Sequence, residues 1–269
     1  MKYRQSFEVR FCEVDRHSRL TPIALFNYLQ EGAIGHGDAV GVPDGEGLAG
    51  MGYAWMMNRL HIQIDRYARR RETIHVETWC SMLSGLFAIR EWNVTDESGV
   101  SIAQATGRWL IFDLRKRKII KLPGMMAERY GEHDGRGIDD PFARMMPIES
   151  GEYEKRFHVR SSELDSNQHA NSASYIDWCL EAVPEDVLNE YLPSDIEITY
   201  KKESKLGDGL VASSLEEPSQ EPAQLVFRHA IRLEENGALL SMGKSVWQRA
   251  SHPIEDTRGG AGGSRAESS

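Results

Sequence analysis

The sequence predicts an α+β fold in which one unit, a helix followed by antiparallel strands, occurs twice. The first observation is a repeat, since residues 7–31 align without a gap on residues 157–181. The second is an apolar-striped helix after the first strand of each copy, and the third is a series of four strand-like segments after each helix. The period far exceeds the roughly 20–50 residues of solenoid repeats, so each copy is expected to be a small domain.

The two copies agree in residue type as well as in spacing. Shifted forward by 150, the first segment keeps six identities: Phe7/Phe157, Val9/Val159, Arg10/Arg160, Glu13/Glu163, Asp15/Asp165 and Glu31/Glu181. Two further blocks align at offsets of 134 and 138: Ile62/Ile196 and Ile64/Ile198, then Arg90/Arg228, Gly99/Gly237 and Trp109/Trp247. The smaller offset means that the first copy is longer after its helix, where the Gly-rich stretch 37–52 lies.

The first copy begins with a strand predicted over residues 4–11. Thr21 and Pro22 then indicate a helix start, because a capping side chain precedes a proline at the first helical position. Apolar residues recur at helical spacing after this point. The strands that follow are predicted from β-rich segments at 53–67, 72–82, 86–96 and 101–113.

The second copy repeats this plan, with a strand near 155–161 and a helix over 171–182. Its four later strands are predicted near 195–204, 209–216, 223–234 and 238–248. A sheet wrapped around an apolar helix is the hotdog arrangement, so we expect a double hotdog: two antiparallel sheets, each around a central helix. The predicted parts are an N-terminal hotdog at 1–120, a linker at 121–153, a C-terminal hotdog at 154–250 and a disordered tail at 251–269.

Composition argues against several classes of protein. The net charge of −9 disfavours a nucleic-acid binder, and no apolar run approaches the roughly 18 residues that span a bilayer. Three scattered cysteines without a Cys-x-x-Cys motif, and an N-terminus without an apolar signal segment, favour a reducing cytoplasm. The histidines lack metal-site spacing, and the Gly-x-Gly-x-x-Gly pattern at 45–50 follows no strand, so neither a metal nor a cofactor is expected.

Charge is distributed unevenly along the chain. Residues 1–120 hold 16 Lys/Arg against 14 Asp/Glu, and the remainder holds 16 against 27. Two basic clusters stand out in the first half: Arg69, Arg70 and Arg71, then Arg115, Lys116, Arg117 and Lys118. They are either solvated strand ends or a docking patch for an acidic partner, since local potential rather than net charge steers encounter.

Three motifs carry a resemblance to a known family. They are LDSNQHAN at 164–171 with the YIDWCLEAVP segment that ends at 184, WMMNRLHIQIDRY at 55–67, and IEITYKKE at 196–203. In this order and spacing the chain resembles the acyl-acyl carrier protein thioesterases of plants and bacteria, over about residues 3–250. Ser204 departs from the plant members, which carry Cys there, and the plastid-targeting extension is absent. The resemblance therefore implies a bacterial-type, cytoplasmic hydrolase whose partner is an acyl carrier protein bearing a fatty acyl chain.

The site residues that this resemblance implies are Asp165, Asn167, His169 and Glu203. Thioester hydrolysis needs an activated water, a donor for the developing oxyanion and a proton for the leaving thiolate. Glu203 could be the general base if it is buried; Asp165 could do the same or orient His169, and Asn167 could hold the water or the carbonyl. If residues 165–169 are extended, their alternate spacing puts Asp165, Asn167 and His169 on one face. The N-terminus of the helix that follows would stabilise the negative charge that develops in the reaction. Ser204 as a nucleophile is the less favoured alternative.

The acyl chain is expected to lie in the first half, which has Arg19 where the second half has His169. Its wall is predicted to include Ile23, Phe26, Leu29, Trp55 and Met57, with core packing as the alternative for the last two. Other activities remain open: a hotdog enzyme acting on coenzyme A esters or 3-hydroxyacyl chains, or a non-catalytic acyl-binding module. The chain is also compatible with a homodimer.

Overall fold

The computed structural model describes residues 1–42 and 45–250, with five α-helices and eleven strands among them. The helices are α1 (Pro22–Ala39), α2 (Gly45–Gly50), α3 (Gly124–Tyr130), α4 (Ser172–Glu181) and α5 (Glu185–Glu190). The first-half strands are β1 (Tyr3–Glu8), β2 (Tyr53–Ile64), β3 (Thr73–Ser84), β4 (Phe87–Asp96), β5 (Ser101–Asp113) and β6 (Lys118–Ile120). The second-half strands are β7 (Tyr153–His158), β8 (Tyr191–Tyr200), β9 (Gly209–Glu217), β10 (Gln224–Leu233) and β11 (Leu239–Arg249).

The strands pair antiparallel in the order β1-β3-β4-β5-β2-β8-β11-β10-β9-β7, with β6 beside β5. The two predicted sheets are therefore joined edge to edge through β2 and β8 into one sheet. Each half of this sheet packs against its own long helix, α1 or α4, and the two helices also contact each other. This architecture confirms the predicted double hotdog. The predicted tail at 251–269 lies outside the described residues.

The junction of β2 and β8 shows that the repeat is also a geometric symmetry. Leu60 pairs with Ile198 and Ile62 pairs with Ile196, and these two pairs are equivalent to each other. The predicted equivalence of Ile62 with Ile196 is wrong by two residues, because the partners of Ile62 on β5 and of Ile198 on β11 show that β2 and β8 align at an offset of 136. The twofold axis passes between His61 and Glu197, which pair with each other and are equivalent at this offset. Ile62 and Ile196, the next pair along the junction, are both buried in the apolar core that the two halves share.

One predicted equivalence, Arg90 with Arg228, is wrong by one residue. Arg90 pairs with Gly107 on β5, and the counterpart of Gly107, Ser245 on β11, pairs with Phe227. Arg90 is thus equivalent to Phe227, because the hairpin after β10 is one residue longer than the hairpin after β4. Arg90 faces the interior of the first half, whereas Arg228 points outward and contacts Glu217 at 3.2 Å.

Helix starts follow the predicted local chemistry. The hydroxyl of Thr21 accepts a hydrogen bond from the N–H of Ala24 at 3.2 Å, and Pro22 occupies the first helical position. Its counterpart Asn171 caps α4 by accepting from Ala173 at 3.0 Å. α1 runs for 18 residues and α4 for only 10, so α1 continues for slightly more than two helical turns beyond the region equivalent to α4.

The predicted linker covers the outer face of the sheet and includes α3. Arg136 pairs with the fully buried carboxylate of Glu91 on β4 at 2.7 Å. Gly137 lies so close to the strands that an added Cβ would stand 3.1 Å from the carbonyl oxygen of Ala105. The linker is therefore packed tightly against the first-half strands. No helix among the described residues is long and apolar enough to cross a membrane.

Candidate active site

Residues 165–169, the second-half turn, form a tight turn rather than the extended stretch that was predicted. The N–H of Asp165 donates to the carbonyl of His169 at 2.8 Å, and Gln168 adopts a positive φ of 63°. Asp165 Oδ1 accepts from the N–H groups of Asn167 at 2.8 Å and His169 at 3.2 Å. The expectation of alternating faces was wrong because this carboxylate, a strong turn former, closes the backbone onto itself.

The second-half turn stands at the wall of a cavity. Asp165 and Asn167 line this cavity together with Ser166, and Asn171 and Ser172 of the α4 N-terminus lie beside them. Asp165 Oδ2 has no hydrogen-bond partner among the described residues, because both bonds to its side chain end on Oδ1. One carboxylate oxygen therefore holds the turn, and the other is available for chemistry.

His169 makes a separate pair with Glu203. Its Nε2 lies 3.3 Å from Glu203 Oε2, and the side chains are 28% and 56% exposed. The backbone carbonyl of Ser204 accepts the N–H of Ala170 at 2.9 Å, which fixes the segment carrying Glu203 beside the turn. Because Glu203 is more than half exposed, the burial on which its predicted role as general base depended is not found.

Ser204 is turned away from the cavity into the protein. It is fully buried, and its hydroxyl lies 2.8 Å from the hydroxyl of Tyr175 on α4. A nucleophile must reach the thioester carbonyl, and this side chain is instead buried against Tyr175 of α4. Its position argues against the alternative in which Ser204 attacks the substrate.

The cavity has a volume of about 510 Å³ and extends from the second-half turn into the first half. The first half supplies most of its wall, through Ala33 and Ile34 on α1, Leu48 on α2 and strand residues of β2 to β5. The described strand residues on the wall are Ala54, Trp55, Met57, Cys80, Leu83, Ala88, Arg90 and Trp109. A cavity with apolar side chains on its first-half wall and a carboxylate and an amide on its second-half wall is suited to an acyl chain with a reactive carbonyl.

Comparison with known proteins identifies the family. Residues 1–130 match the model of the acyl-ACP thioesterase N-terminal domain, and residues 148–249 match that of the C-terminal domain. The chain belongs to the acyl-ACP thioesterase family. A chloroplastic acyl-[acyl-carrier-protein] hydrolase from Cuphea viscosissima is 26% identical over 259 residues, which cover 92% of this chain and 63% of that protein. The chain thus spans less than two thirds of this relative.

Two solved structures share the fold over most of both chains. An acyl-ACP thioesterase from Bacteroides thetaiotaomicron has a TM-score of 0.80 at 25% identity, covering 92% of this chain and 98% of that one. The 12:0-ACP thioesterase from Umbellularia californica has a TM-score of 0.82 at 23% identity, covering 92% and 94%. These likenesses agree with the double hotdog described above.

The predicted wall residues of the acyl site fall into two groups. Trp55 and Met57 line the cavity. Phe26 and Leu29 do not, since they are buried in the shared core, and Ile23 packs against the same core. Their apolar stripe faces the sheet, whereas the cavity meets α1 farther along the helix. These three residues do not line this cavity, and their contact with the acyl chain stays a prediction.

A charged residue lies on the cavity wall within the first half. Arg90 is only 6% exposed, and its guanidinium donates to Nδ1 of His36 at 2.9 Å and to Thr78 at 3.2 Å. The guanidinium also stacks 5.1 Å from the ring of Tyr130. Burial, followed by the charge of Arg90, lowers the pKa of His36 to about 3, so this imidazole is neutral and can accept the bond.

The two predicted basic clusters lie in different places. Arg69 pairs through its backbone with Arg19, and the side chain of Arg70 stacks over Phe11, so this cluster surrounds residues 15–19 rather than the second-half turn. The cluster at 115–118 follows Leu114, which lines the cavity. Lysines that the prediction did not include, Lys201, Lys202 and Lys205, flank Glu203 and are exposed.

A second titratable cluster lies on the outer face of the β2–β8 junction. His61 lies 3.1 Å from Asp140 of the linker and 2.9 Å from Asp195, and Arg59 contacts Glu197. Burial alone lowers the pKa of His61, but the hydrogen bond to Asp195 and the surrounding carboxylates outweigh it and raise the pKa overall. His61, Asp140 and Glu197 are close enough to share a cation, yet the guanidinium of Arg59 already supplies positive charge to both acids. This network is best explained as a structural tie between the two halves and the linker.

Proposed function

We propose that this protein hydrolyses the thioester of a fatty acyl-acyl carrier protein, releasing a free fatty acid and the carrier with its thiol. The observation that carries the proposal is the cavity itself, which runs from the apolar interior of the first half to Asp165 and Asn167. Family membership supports the reaction class, and the retained acid, amide and imidazole argue against a binding module without catalysis. The cytoplasmic location and the homodimer remain predictions.

Asp165 is the proposed base that activates water. Its free Oδ2 takes a proton from water while the water oxygen bonds to the thioester carbonyl carbon, and the carbon–sulfur bond then breaks. His169, paired with Glu203, donates its own proton to the leaving thiolate. Asp165 then releases its proton to solvent and His169 takes one up from solvent, which restores both groups. Asn167 holds the water or the carbonyl through its side-chain amide. The N-terminus of α4 stabilises the negative charge on the carbonyl oxygen through its partial positive charge.

A carrier protein is the proposed partner because basic residues flank the site. Lys201, Lys202 and Lys205 surround Glu203, and the cluster at 115–118 adjoins the cavity through Leu114. An acidic carrier would meet positive local potential there despite the net charge of −9. A coenzyme A thioesterase is the second candidate, since its substrate is also anionic.

The test is turnover of matched acyl-carrier and acyl-coenzyme A thioesters by wild-type protein and by Asp165→Asn, His169→Ala and Glu203→Gln. Loss of a general acid or base is expected to lower kcat by about 10²–10⁴-fold. Asp15→Asn, the same change in the first half, is the matched control and should retain activity. Preference for the carrier that disappears with rising salt would support electrostatic docking.

Three results would contradict the proposal. Full activity of Asp165→Asn would remove this carboxylate from the mechanism. Equal turnover of both thioesters at every salt concentration would favour the coenzyme A candidate. Wild-type protein that binds acyl chains without hydrolysing any thioester would indicate the binding module.

A further inference from the structure

The cavity wall includes a polar residue that comes from the first half. Gln30 lies on α1, and the cavity that it lines also contains Asp165 and Asn167 of the second-half turn. α1 and α4 also contact each other, so the two helices meet at the boundary between the halves. Glu31 follows it on the same wall but is exposed, whereas Gln30 is half-buried.

The side-chain amide of Gln30 forms no hydrogen bond within residues 1–42 and 45–250. An amide offers two N–H donors and one acceptor, and a partly buried amide without a partner costs free energy. The backbone N–H groups of Asn167 and His169 in the second-half turn donate to Asp165 rather than to Gln30. The amide is therefore free to donate to a molecule in the cavity.

The repeat shows that the fold does not require glutamine at this position. The counterpart of Gln30 at the offset of 150 is Leu180 on α4, which is 8% exposed and belongs to the shared core. Leu180 belongs to the half that carries the second-half turn, whereas Gln30 lines the cavity from the other half. Of these two equivalent residues, only Gln30 lines the cavity that Asp165 also lines.

We propose that Gln30 is a catalytic residue that donates a side-chain N–H to the carbonyl oxygen of the bound thioester. This inference rests on the proposed hydrolysis. As water attacks, the carbonyl oxygen gains negative charge, and a donor fixed in place stabilises that charge more than it stabilises the neutral ground state. A neutral amide suits the position because it donates without taking the proton that Asp165 must accept. The active site is then shared, with the base from the second half and this donor from the first.

The experiment compares Gln30→Leu, Gln30→Glu and the control Asn27→Leu, with kcat, KM and Tm measured on the acyl-carrier substrate that wild-type protein turns over. Asn27 is an exposed amide one turn earlier on α1 and outside the cavity wall. Gln30→Leu installs the counterpart residue and should lower kcat by about 10²-fold, the lower end for loss of an oxyanion donor. KM and Tm should stay near the wild-type values, and Asn27→Leu should keep full kcat.

Gln30→Glu separates donation from packing. A glutamate has nearly the same shape, but its ionised carboxylate cannot donate and repels an oxyanion. Its activity relative to wild type should therefore rise as pH falls and the carboxyl group becomes a donor. A purely structural role would leave that ratio constant with pH.

The inference is overturned if Gln30→Leu keeps wild-type kcat, or if its loss of kcat is matched by a fall in Tm that Gln30→Glu shares at every pH. Wild-type protein without activity on any acyl thioester would overturn the proposed function and this inference together. Active wild-type protein with a fully active Gln30→Leu variant would overturn this inference alone.

Discussion

The two halves contain the same turn, and only the second-half turn has the acid, amide and imidazole that we propose for catalysis. Residues 15–19, the first-half turn, match the second-half turn in backbone geometry. Asp15 Oδ1 accepts from the N–H groups of His17 at 2.8 Å and Arg19 at 2.9 Å, as Asp165 does from its own turn. Ser18 has a φ of 59°, close to the 63° of Gln168. The difference is in the second carboxylate oxygen, which Arg19 Nε occupies in the first half at 2.9 Å.

The segment facing each turn differs in the same way. Leu20 donates its N–H to the carbonyl of Ala68 at 2.8 Å, just as Ala170 donates to Ser204, so Tyr67 stands where the second half has Glu203. The Tyr67 hydroxyl donates to the carbonyl of Pro193 at 2.6 Å. The two halves therefore share the backbone arrangement and differ in the side chains placed on it. In the first half, Arg19 bonds to Asp15 and Tyr67 bonds to Pro193, so these side chains are engaged within the protein.

The sharpest test of this comparison is to give the second-half turn the first-half residue. His169→Arg should place a guanidinium against Asp165 Oδ2, neutralise it as Arg19 neutralises Asp15, and remove the imidazole. We expect kcat to fall by about 10³-fold or more, since a base and an acid are lost together. Circular dichroism should show an intact fold, because the same sequence arrangement folds in the first half.

The reciprocal change is the matched control. Arg19→His frees Asp15 but supplies no counterpart of Glu203, so activity should stay at the wild-type level. Substantial activity of His169→Arg would mean that the difference between the turns is incidental to catalysis.

The sequence was sufficient for the regular elements of the two halves. Thr21 with Pro22 marks a helix start, and the strand positions follow from β-rich segments between turn residues. It was insufficient for α2, α3 and α5, which have six or seven residues and are too short to show helical periodicity. The pairing of Arg90 with Arg228 failed because one additional hairpin residue reverses which side chains face inward.

The site was predicted less completely than the fold. The motif placed Asp165, Asn167 and His169 together, but spacing could not show that Asp165 folds the chain into a turn. An Asp followed at the second position by Asn is typical of such turns and was an available signal. An apolar helical stripe at Ile23 and Phe26 cannot distinguish core from cavity, because both environments select the same residue types.

The interiors of the two halves also differ, because the cavity lies mainly in the first half. Larger side chains on the cavity wall test whether this space holds the acyl chain. Ala33→Leu and Ala88→Leu each add three carbons to the first-half cavity wall and should shift the preferred acyl chain to shorter lengths. Each methylene excluded from burial costs about 0.8 kcal/mol, or roughly fourfold in affinity. Profiling released fatty acids by gas chromatography measures the shift.

Ile23→Val is the control, since it trims the shared core outside the cavity wall. It should lower stability by about 0.5–1.5 kcal/mol and leave the product profile unchanged. An unchanged profile in both Leu variants, with intact Tm, would show that the first-half cavity does not hold the acyl chain.

The smallest expected effect concerns the helices, where Asp177 on α4 is the counterpart of Asn27 on α1. Burial, followed by the charges of Glu181 and Glu163, raises the pKa of Asp177 to about 6. The folded protein thus keeps a proton that the unfolded chain releases near pH 4, so stability falls as pH rises from about 4 to about 6. Asp177→Asn should stabilise the protein by about 1–2 kcal/mol at pH 7 and have little effect below pH 4.

Thermal unfolding of both proteins across this pH range measures the difference. The wild-type curve should approach that of the variant on the acidic side. A constant gap between the two curves at all pH values would show that the carboxylate's ionisation is not the cause.

The twofold axis between His61 and Glu197 relates two units that belong to one chain, and this affects how such a molecule can change over generations. Two identical chains related by a twofold axis share every substitution. A mutation that enlarges the pocket of one therefore enlarges the pocket of the other, even where it disturbs the catalytic residues nearby. Joined in one chain, the units accept substitutions separately. One can exchange an active site for space while the other keeps its reacting groups fixed, and substrate range becomes adjustable without renewed selection on the catalytic step.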